Sequence, residues 1–279
     1  MNEVYKRIGT LVPVGSPEMI REGFRRVHEF GMGCCQLMAR PGMTTPEAAE
    51  AVTAASKEFD VYISAVWAGW SGPAEWNFYE GPLTLGLMPH EYREKRVEEV
   101  LDECRFARDI GVTDVITHVG FIPENPNDPE FESIVLTLRH ICKTIGEFGQ
   151  YFLFETGQET PTTLLRTIEE IGTGNLGVNL DTANLILYGR GNPVDALDVI
   201  GKYVRNTHMK DGFYPVSGRS LGKEVPLGEG KVNVREFIKK LEGIGYNGCY
   251  CIEREISGEQ QNLDIIAARD LIAETLRSC

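Results

Sequence analysis

The sequence predicts one domain over residues 1–279, a single (β/α)₈ barrel. Three observations carry that prediction. Short apolar runs alternate with amphipathic stretches eight times along the chain. The length, 279 residues, suits a barrel of about 250 residues with loop insertions. The loop after the first strand reads PVGSPEM, without the glycine-rich fingerprint that an open nucleotide-binding sheet carries at that point.

The expected strands are RIGTLVPV (7–14), CCQLMA (34–39), VYISAVWA (61–68), DVITHVG (114–120), QYFLFET (150–156), LGVNLDT (176–182), VRNTHMK (204–210) and GCYCIERE (248–255). Several are rich in β-branched and aromatic residues, as buried parallel strands are. The first helix, SPEMIREGFRRVHEFG, has Ser16 as its cap, Pro17 at its first position and Gly31 at its close. TTPEAAEAVTAASKEF follows the same grammar. HEYREKRVEEVLDECRFARDIG and DPEFESIVLTLRHICKTIGEFG are longer, and TPTTLLRTIEEIG, NPVDALDVIG, NVREFIKKLEGIG and LDIIAARDLIAETLR complete the set. Gly111, Gly149, Gly172, Gly201 and Gly245 stand where helix C-caps are expected. Two loops after strands are long, Gly69–Pro89 and Gly212–Lys231. Both belong to the C-terminal face, where barrel active sites are built. The aromatic Trp70, Trp76, Phe78 and Tyr79 of the first suit a substrate lid.

Composition removes some classes of function. The net charge is -13, and an acidic surface repels phosphate backbones, so nucleic acid is not an expected partner. No apolar run reaches the length of a membrane span, and MNEVYKRIGT lacks the apolar core of a signal peptide. The seven cysteines show no CxxC spacing and read as reduced thiols of a cytoplasmic protein. Cys249 and Cys251 share one side of a strand and read as small core fillers rather than a metal pair.

The strand ends carry the chemistry. Trp67, His118, Glu155, Asp181, His208 and Glu253 close the third to eighth strands. Glu155 follows YFLF and Glu253 follows CYCI. A lone carboxylate is costly to bury beside such runs. Convergence on one cation resolves that cost. Two Glu, one Asp and one His suit one divalent metal ion, Mn²⁺ first, with Mg²⁺ or Co²⁺ as alternatives. Zn²⁺ is less suited, because no cysteine joins the set. His118 is expected to line the pocket rather than bind metal. Lys210, two residues past His208, turns to the same side. It could polarise a carbonyl or hold an anionic group, while Asp211 braces the loop.

These motifs resemble a known family. FLFETG, VNLDTAN, NTHMKDG, PLGEGKVN and GYNGCYCIERE are similar to the xylose isomerase-like TIM barrels. More narrowly they resemble the sugar phosphate isomerase/epimerase group, with its ketose 3-epimerases, hydroxypyruvate isomerase and inosose dehydratase. The resemblance implies one metal held by Glu155, Asp181, His208 and Glu253. It also implies that Glu155 and Glu253 act as the acid/base pair, moving a proton through a metal-stabilised enediolate of a small carbohydrate. Epimerisation, isomerisation and dehydration remain open, as do free and phosphorylated substrates and a non-catalytic sugar-binding barrel. A homodimer or homotetramer is implied too. Ketose 3-epimerases carry His where this chain has Asn184, and Arg where it has Tyr214; Arg219 stands further along that loop. Trp67, His118, Glu159, Asn184, Lys210 and Arg219 are the expected substrate contacts, with Glu159 also able to cap the next helix beside Thr160.

Overall fold

Strands that are apolar on both faces need cover on both sides. Closing the sheet on itself provides one side, and a ring of helices provides the other. A computed structural model describes residues 3–279 and has this form. Its strands are β1 (Ile8–Pro13), β2 (Cys34–Ala39), β3 (Tyr62–Ala68), β4 (Asp114–Thr117), β5 (Tyr151–Glu155), β6 (Leu176–Asp181), β7 (Val204–Met209), β8 (Asp211–Phe213), β9 (Lys223–Val225) and β10 (Tyr250–Ile252). Eight of them pair in parallel into a closed barrel, in the order β1-β10-β7-β6-β5-β4-β3-β2. The other two, β8 and β9, form a separate antiparallel hairpin.

The helix starts follow the expected capping chemistry. Ser16, Thr45, Asp128, Thr160, Asn192 and Asn233 each accept a backbone N–H of the first turn. Gly111, Gly149, Gly172 and Gly245 have the positive φ of a C-cap, but Gly201 does not. Its φ is -53°, and it opens a 3-10 turn leading into β7. Three further differences concern strand ends and a helix start. The fourth strand stops at Thr117 and the eighth barrel strand at Ile252, so His118 and Glu253 stand one residue beyond pairing. The last helix begins at Glu259, a turn earlier than its apolar pattern indicated.

Side-chain alternation divides the core. The outward strand residues Leu37, Phe152 and Phe154 join the helix residues Phe24 and Phe237 in one large apolar cluster between strands and helices. Inside the barrel the apolar cluster is small: Ala65, Ile116 and Leu153, with Trp67 and Tyr151 against them. Much of the rest is polar, with Gln36, Asp114, Asn179 and Asn206 buried, while Leu11 and Met38 line the mouth. Among the described residues, no helix is long and apolar enough to cross a membrane.

Candidate metal centre and active site

The site sits at the C-terminal mouth of the barrel. Its cavity of about 380 Å³ is lined by Trp67, His118, Glu155, Asn184, His208, Lys210 and Glu253. Seven of the ten expected site residues therefore meet around it. Asp181 lies just below, fully buried. Glu155, Asp181, His208 and Glu253 each offer a ligand atom, and these atoms all lie within 4.8 Å of one another.

The details fit a cation. His208 Nδ1 lies 2.9 Å from Glu155 Oε1, 3.2 Å from Glu253 Oε2 and 3.8 Å from Asp181 Oδ2. It is nevertheless buried with no aligned hydrogen-bond partner, and so is Asp181 Oδ2. Buried polar atoms left this way are rare, and two of them aim at one centre. In Asp181, Glu155 and His208 the other atom of the side chain is already engaged. Asp181 Oδ1 accepts from the Asn184 N–H at 2.7 Å, and Glu155 Oε2 accepts from Asn179 Nδ2 at 2.5 Å. His208 Nε2 meets Gln36 Oε1 at 2.6 Å. The free oxygens and Nδ1 make a hard, oxygen-rich donor set that suits a divalent ion.

Lys210 supplies positive charge at the pocket wall. Its Nζ donates to Glu253 Oε2 and Glu255 Oε1, both at 2.9 Å, and lies 3.1 Å from Asp181 Oδ2. Burial works against the charged form of Lys210, but Asp181, Glu253 and Glu255 outweigh it and raise its pKa. Burial likewise opposes ionisation of Glu253, yet Lys210 and His208 hold its carboxyl well below the usual range. Asp181 goes the other way. Burial pushes its carboxyl well up, with Lys210 only partly opposing. Burial lowers the pKa of His118. Its Nδ1 lies 3.2 Å from Gln158 Oε1, and Gln158 Nε2 donates to Tyr188 Oη at 3.0 Å.

Both long loops fold over this mouth. Trp76 reaches the pocket and meets the His118 ring edge-on, centroids 5.1 Å apart. Arg96, fully buried on the helix His90–Asp109, holds this loop. It donates to the carbonyls of Ser71, Pro73, Thr84 and Gly86 at 2.6–3.0 Å. Gly86 has φ +70°, and a Cβ there would lie 2.3 Å from the Val119 carbonyl oxygen, so only glycine lets the loop pass. The second loop is gathered by Asp211. Its carboxylate accepts from the N–H groups of Gly212, Gly228, Gly230 and Val232 at 2.7–3.0 Å.

Two expected contacts lie elsewhere. Arg219 does not line the pocket. Its main chain is tied to the other loop through the Phe78 N–H at 3.1 Å, and its guanidinium sits over the Tyr79 ring at 4.4 Å. Glu159 is buried outside the lining, and burial pushes its carboxyl up to about 8. Thr160 rather than Glu159 caps the next helix. Residues not anticipated are Gln36, Asn179 and Asn206 beneath the ligands, Glu255 beside Lys210, and Arg96. A signal existed for two of them. Asn179 and Asn206 each precede a ligand by two residues, which puts them on the same interior face.

Comparison with known proteins agrees with this geometry. A family model described as a xylose isomerase-like TIM barrel matches residues 24–277. The chain belongs to this family. A crystal structure of a xylose isomerase domain protein from Planctomyces limnophilus is 33% identical, with TM-score 0.90 over 98% of both chains. An uncharacterised protein of Methanocaldococcus jannaschii is 27% identical over 208 residues, 70% of this chain and 67% of that one. A D-tagatose 3-epimerase-like protein, 22% identical, shares the fold at TM-score 0.75 over 98% of this chain and 97% of that one.

Proposed function

We propose that this xylose isomerase-like barrel is a divalent-metal-dependent isomerase or epimerase of a small carbohydrate. One observation carries the reading. Two glutamates, Glu155 and Glu253, flank His208 Nδ1 at 2.9 and 3.2 Å and come from strand ends three places apart in a ring of eight. They approach a bound substrate from separate walls. Asp181 and His208, on the two strands between them, complete the donor set. When bound, a divalent cation, Mn²⁺ by preference, supplies Lewis acidity toward a carbonyl and its neighbouring hydroxyl.

The protein's own groups do the rest. One glutamate takes the proton from the carbon beside the carbonyl, and the other returns one. Return to the opposite face gives the epimer, and return to the neighbouring carbon gives the isomer. Lys210, held by Glu253 and Glu255, presents an ammonium to a substrate oxygen. His118, with Nδ1 donating to Gln158, turns Nε2 to the pocket as an acceptor for a hydroxyl. Trp67 and Trp76 cover the apolar face of the sugar and exclude water. Dehydration of a keto-polyol is the second reading. Asn184 and Tyr214 stand where the free-ketose 3-epimerases carry His and Arg, and the same proton abstraction expels a hydroxyl placed β to the carbonyl. Seven free thiols, six of them buried, support a cytoplasmic setting. The proposed partner is the small-molecule substrate alone, without nucleic acid or membrane, in a homodimer or homotetramer.

The test is solvent exchange. Mn²⁺-loaded protein is incubated in D₂O with ketoses, ketose phosphates and inososes. Deuterium should enter beside a carbonyl, and chelator should abolish it. Glu155→Gln and Glu253→Gln should each slow exchange by about 10²–10⁴-fold. Mn²⁺-loaded protein that exchanges no proton across the panel would overturn the enzymatic reading in favour of a sugar-binding barrel.

A further inference from the structure

Beneath the four ligands, one half of the barrel interior is polar, and its side chains form a single connected path. Gln36, Asp114, Asn179 and Asn206 are all buried. At the floor, the Arg205 guanidinium holds Asp114, donating to both carboxylate oxygens at 2.9–3.1 Å. Asn206 Nδ2 donates to Asp114 Oδ2 at 3.1 Å and to the Ser64 carbonyl at 3.4 Å. Asn206 Oδ1 therefore faces Gln36, whose Nε2 donates to it at 3.4 Å and to Asn179 Oδ1 at 3.1 Å. Two ends remain. Gln36 Oε1 meets His208 Nε2, and Asn179 Nδ2 meets Glu155 Oε2.

The polarity of this path is set at both ends, by Arg205 and Asp114 at the floor and by Glu155, which accepts from Asn179, at the top. An amide side chain can be placed either way round, and only its partners decide. Here the first partners are one-way groups. A guanidinium only donates, and an ionised carboxylate only accepts. From Arg205 and Asp114 upward, each amide then has one consistent orientation. The last acceptor is Gln36 Oε1, so His208 Nε2 must carry the ring proton. In the neutral ring the lone pair is then on Nδ1, and Nδ1 is the atom that faces the carboxylates. A reversed path would put an N–H on His208 Nε2, move the ring proton to Nδ1 and turn a hydrogen toward the cation.

We propose that Asp114, at the opposite end of the barrel from the site, is a remote positioning residue for the cation: through Asn206 and Gln36 it fixes the proton on His208 Nε2 and leaves Nδ1 free to bind metal. The inference rests on the metal-site reading above. Asp114→Asn is its sharpest test. Arg205 would draw the new amide oxygen to itself and turn the amide NH₂ toward Asn206, which flips Asn206 and sets its NH₂ against Gln36 Nε2, breaking the support of Gln36 from below.

The experiment uses the full chain in two measurements, Mn²⁺ titration by calorimetry and ¹⁵N NMR of the histidine rings in the Mg²⁺-saturated protein. In the unaltered protein, His208 should show a slowly exchanging Nε2–H and an unprotonated Nδ1. Asp114→Asn should weaken Mn²⁺ binding by about 10–100-fold and abolish that Nε2–H signature. Gln36→Met, which removes the last acceptor and leaves the floor intact, should do the same. A purely structural role would lower the melting temperature and leave the His208 signature unmoved. A folded Asp114→Asn or Gln36→Met protein with unchanged Mn²⁺ affinity and unchanged Nε2–H overturns the relay alone. An unaltered protein that binds no Mn²⁺ overturns the metal site, and the relay with it.

Discussion

The two sides of the barrel wall obey opposite rules. Facing outward, Phe152 and Phe154 of β5 pack into a continuous apolar layer with the helices. Facing inward, the same strand ends in Glu155, buried among other charges. Each apolar side chain in the outer layer contributes about 1.5–3 kcal/mol by leaving water. Buried charges inside contribute little net stability, because desolvation offsets their attraction. The comparison teaches where this fold keeps its stability and where it keeps its chemistry. The sheet–helix layer holds the wall closed, and the interior is free to be polar. Buried charge on the outer side is normally partnered, as in Arg96, and one residue departs from that. Glu103, on the outer side, is fully buried with neither carboxylate oxygen partnered.

The largest expected effect attacks the outer layer. Phe237→Ala should cost about 3–5 kcal/mol of unfolding free energy by denaturant titration. Mn²⁺ affinity of the folded fraction should not change. An affinity that falls in step with stability would mean the two sides are mechanically one.

The interior should answer to metal instead. Mn²⁺ at 100 times its Kd should raise unfolding free energy by about 2.7 kcal/mol, and chelator should remove the gain. The pH dependence has a defined sign. Burial opposes a charged His208, but Glu155 and Glu253 outweigh it and hold its pKa well above the usual imidazole range. A metal must displace that proton, so affinity should rise with pH. Calorimetry at pH 6 and pH 8 checks this, and equal affinities would contradict it.

The smallest effect concerns the exception. Burial pushes the Glu103 carboxyl up to about 9. The folded state therefore binds this proton more tightly than the unfolded chain does. Stability is lost as pH rises from the ordinary carboxylate range toward about 9. Glu103→Met should stabilise the protein by about 1–3 kcal/mol near neutral pH. Its advantage should shrink at pH 4. Thermal unfolding across pH would show it, and a pH-independent advantage would mean that this carboxyl is not an orphan.

Much of this was legible in the chain. The eight barrel strands and the cap residues follow from local grammar, since a cap needs only its own first turn. The cluster of Glu155, Asp181, His208 and Glu253 was legible because all four stand at strand ends and the two glutamates close apolar runs, where an unpaired charge is costly. The site residues that were missed depend on partners far away in sequence. Gln36 meets His208 across 172 positions, and Arg96 reaches loop carbonyls that no helical periodicity reports. Arg219 failed in the other direction. Its position along the loop suggested the pocket, but pairing with the first loop turned it outward onto Tyr79.

By itself the sequence determined the barrel, its alternation and the four residues able to bind a cation, because period, capping and the cost of buried charge are local properties. Only the tertiary structure decided which atom of His208, Glu155 and Asp181 is left free. That depends on which neighbour engages the other atom: Gln36 for His208, Asn179 for Glu155, the Asn184 N–H for Asp181. Hydrogen-bond direction is settled by contacts across the barrel, and closure of the sheet brings those contacts into being.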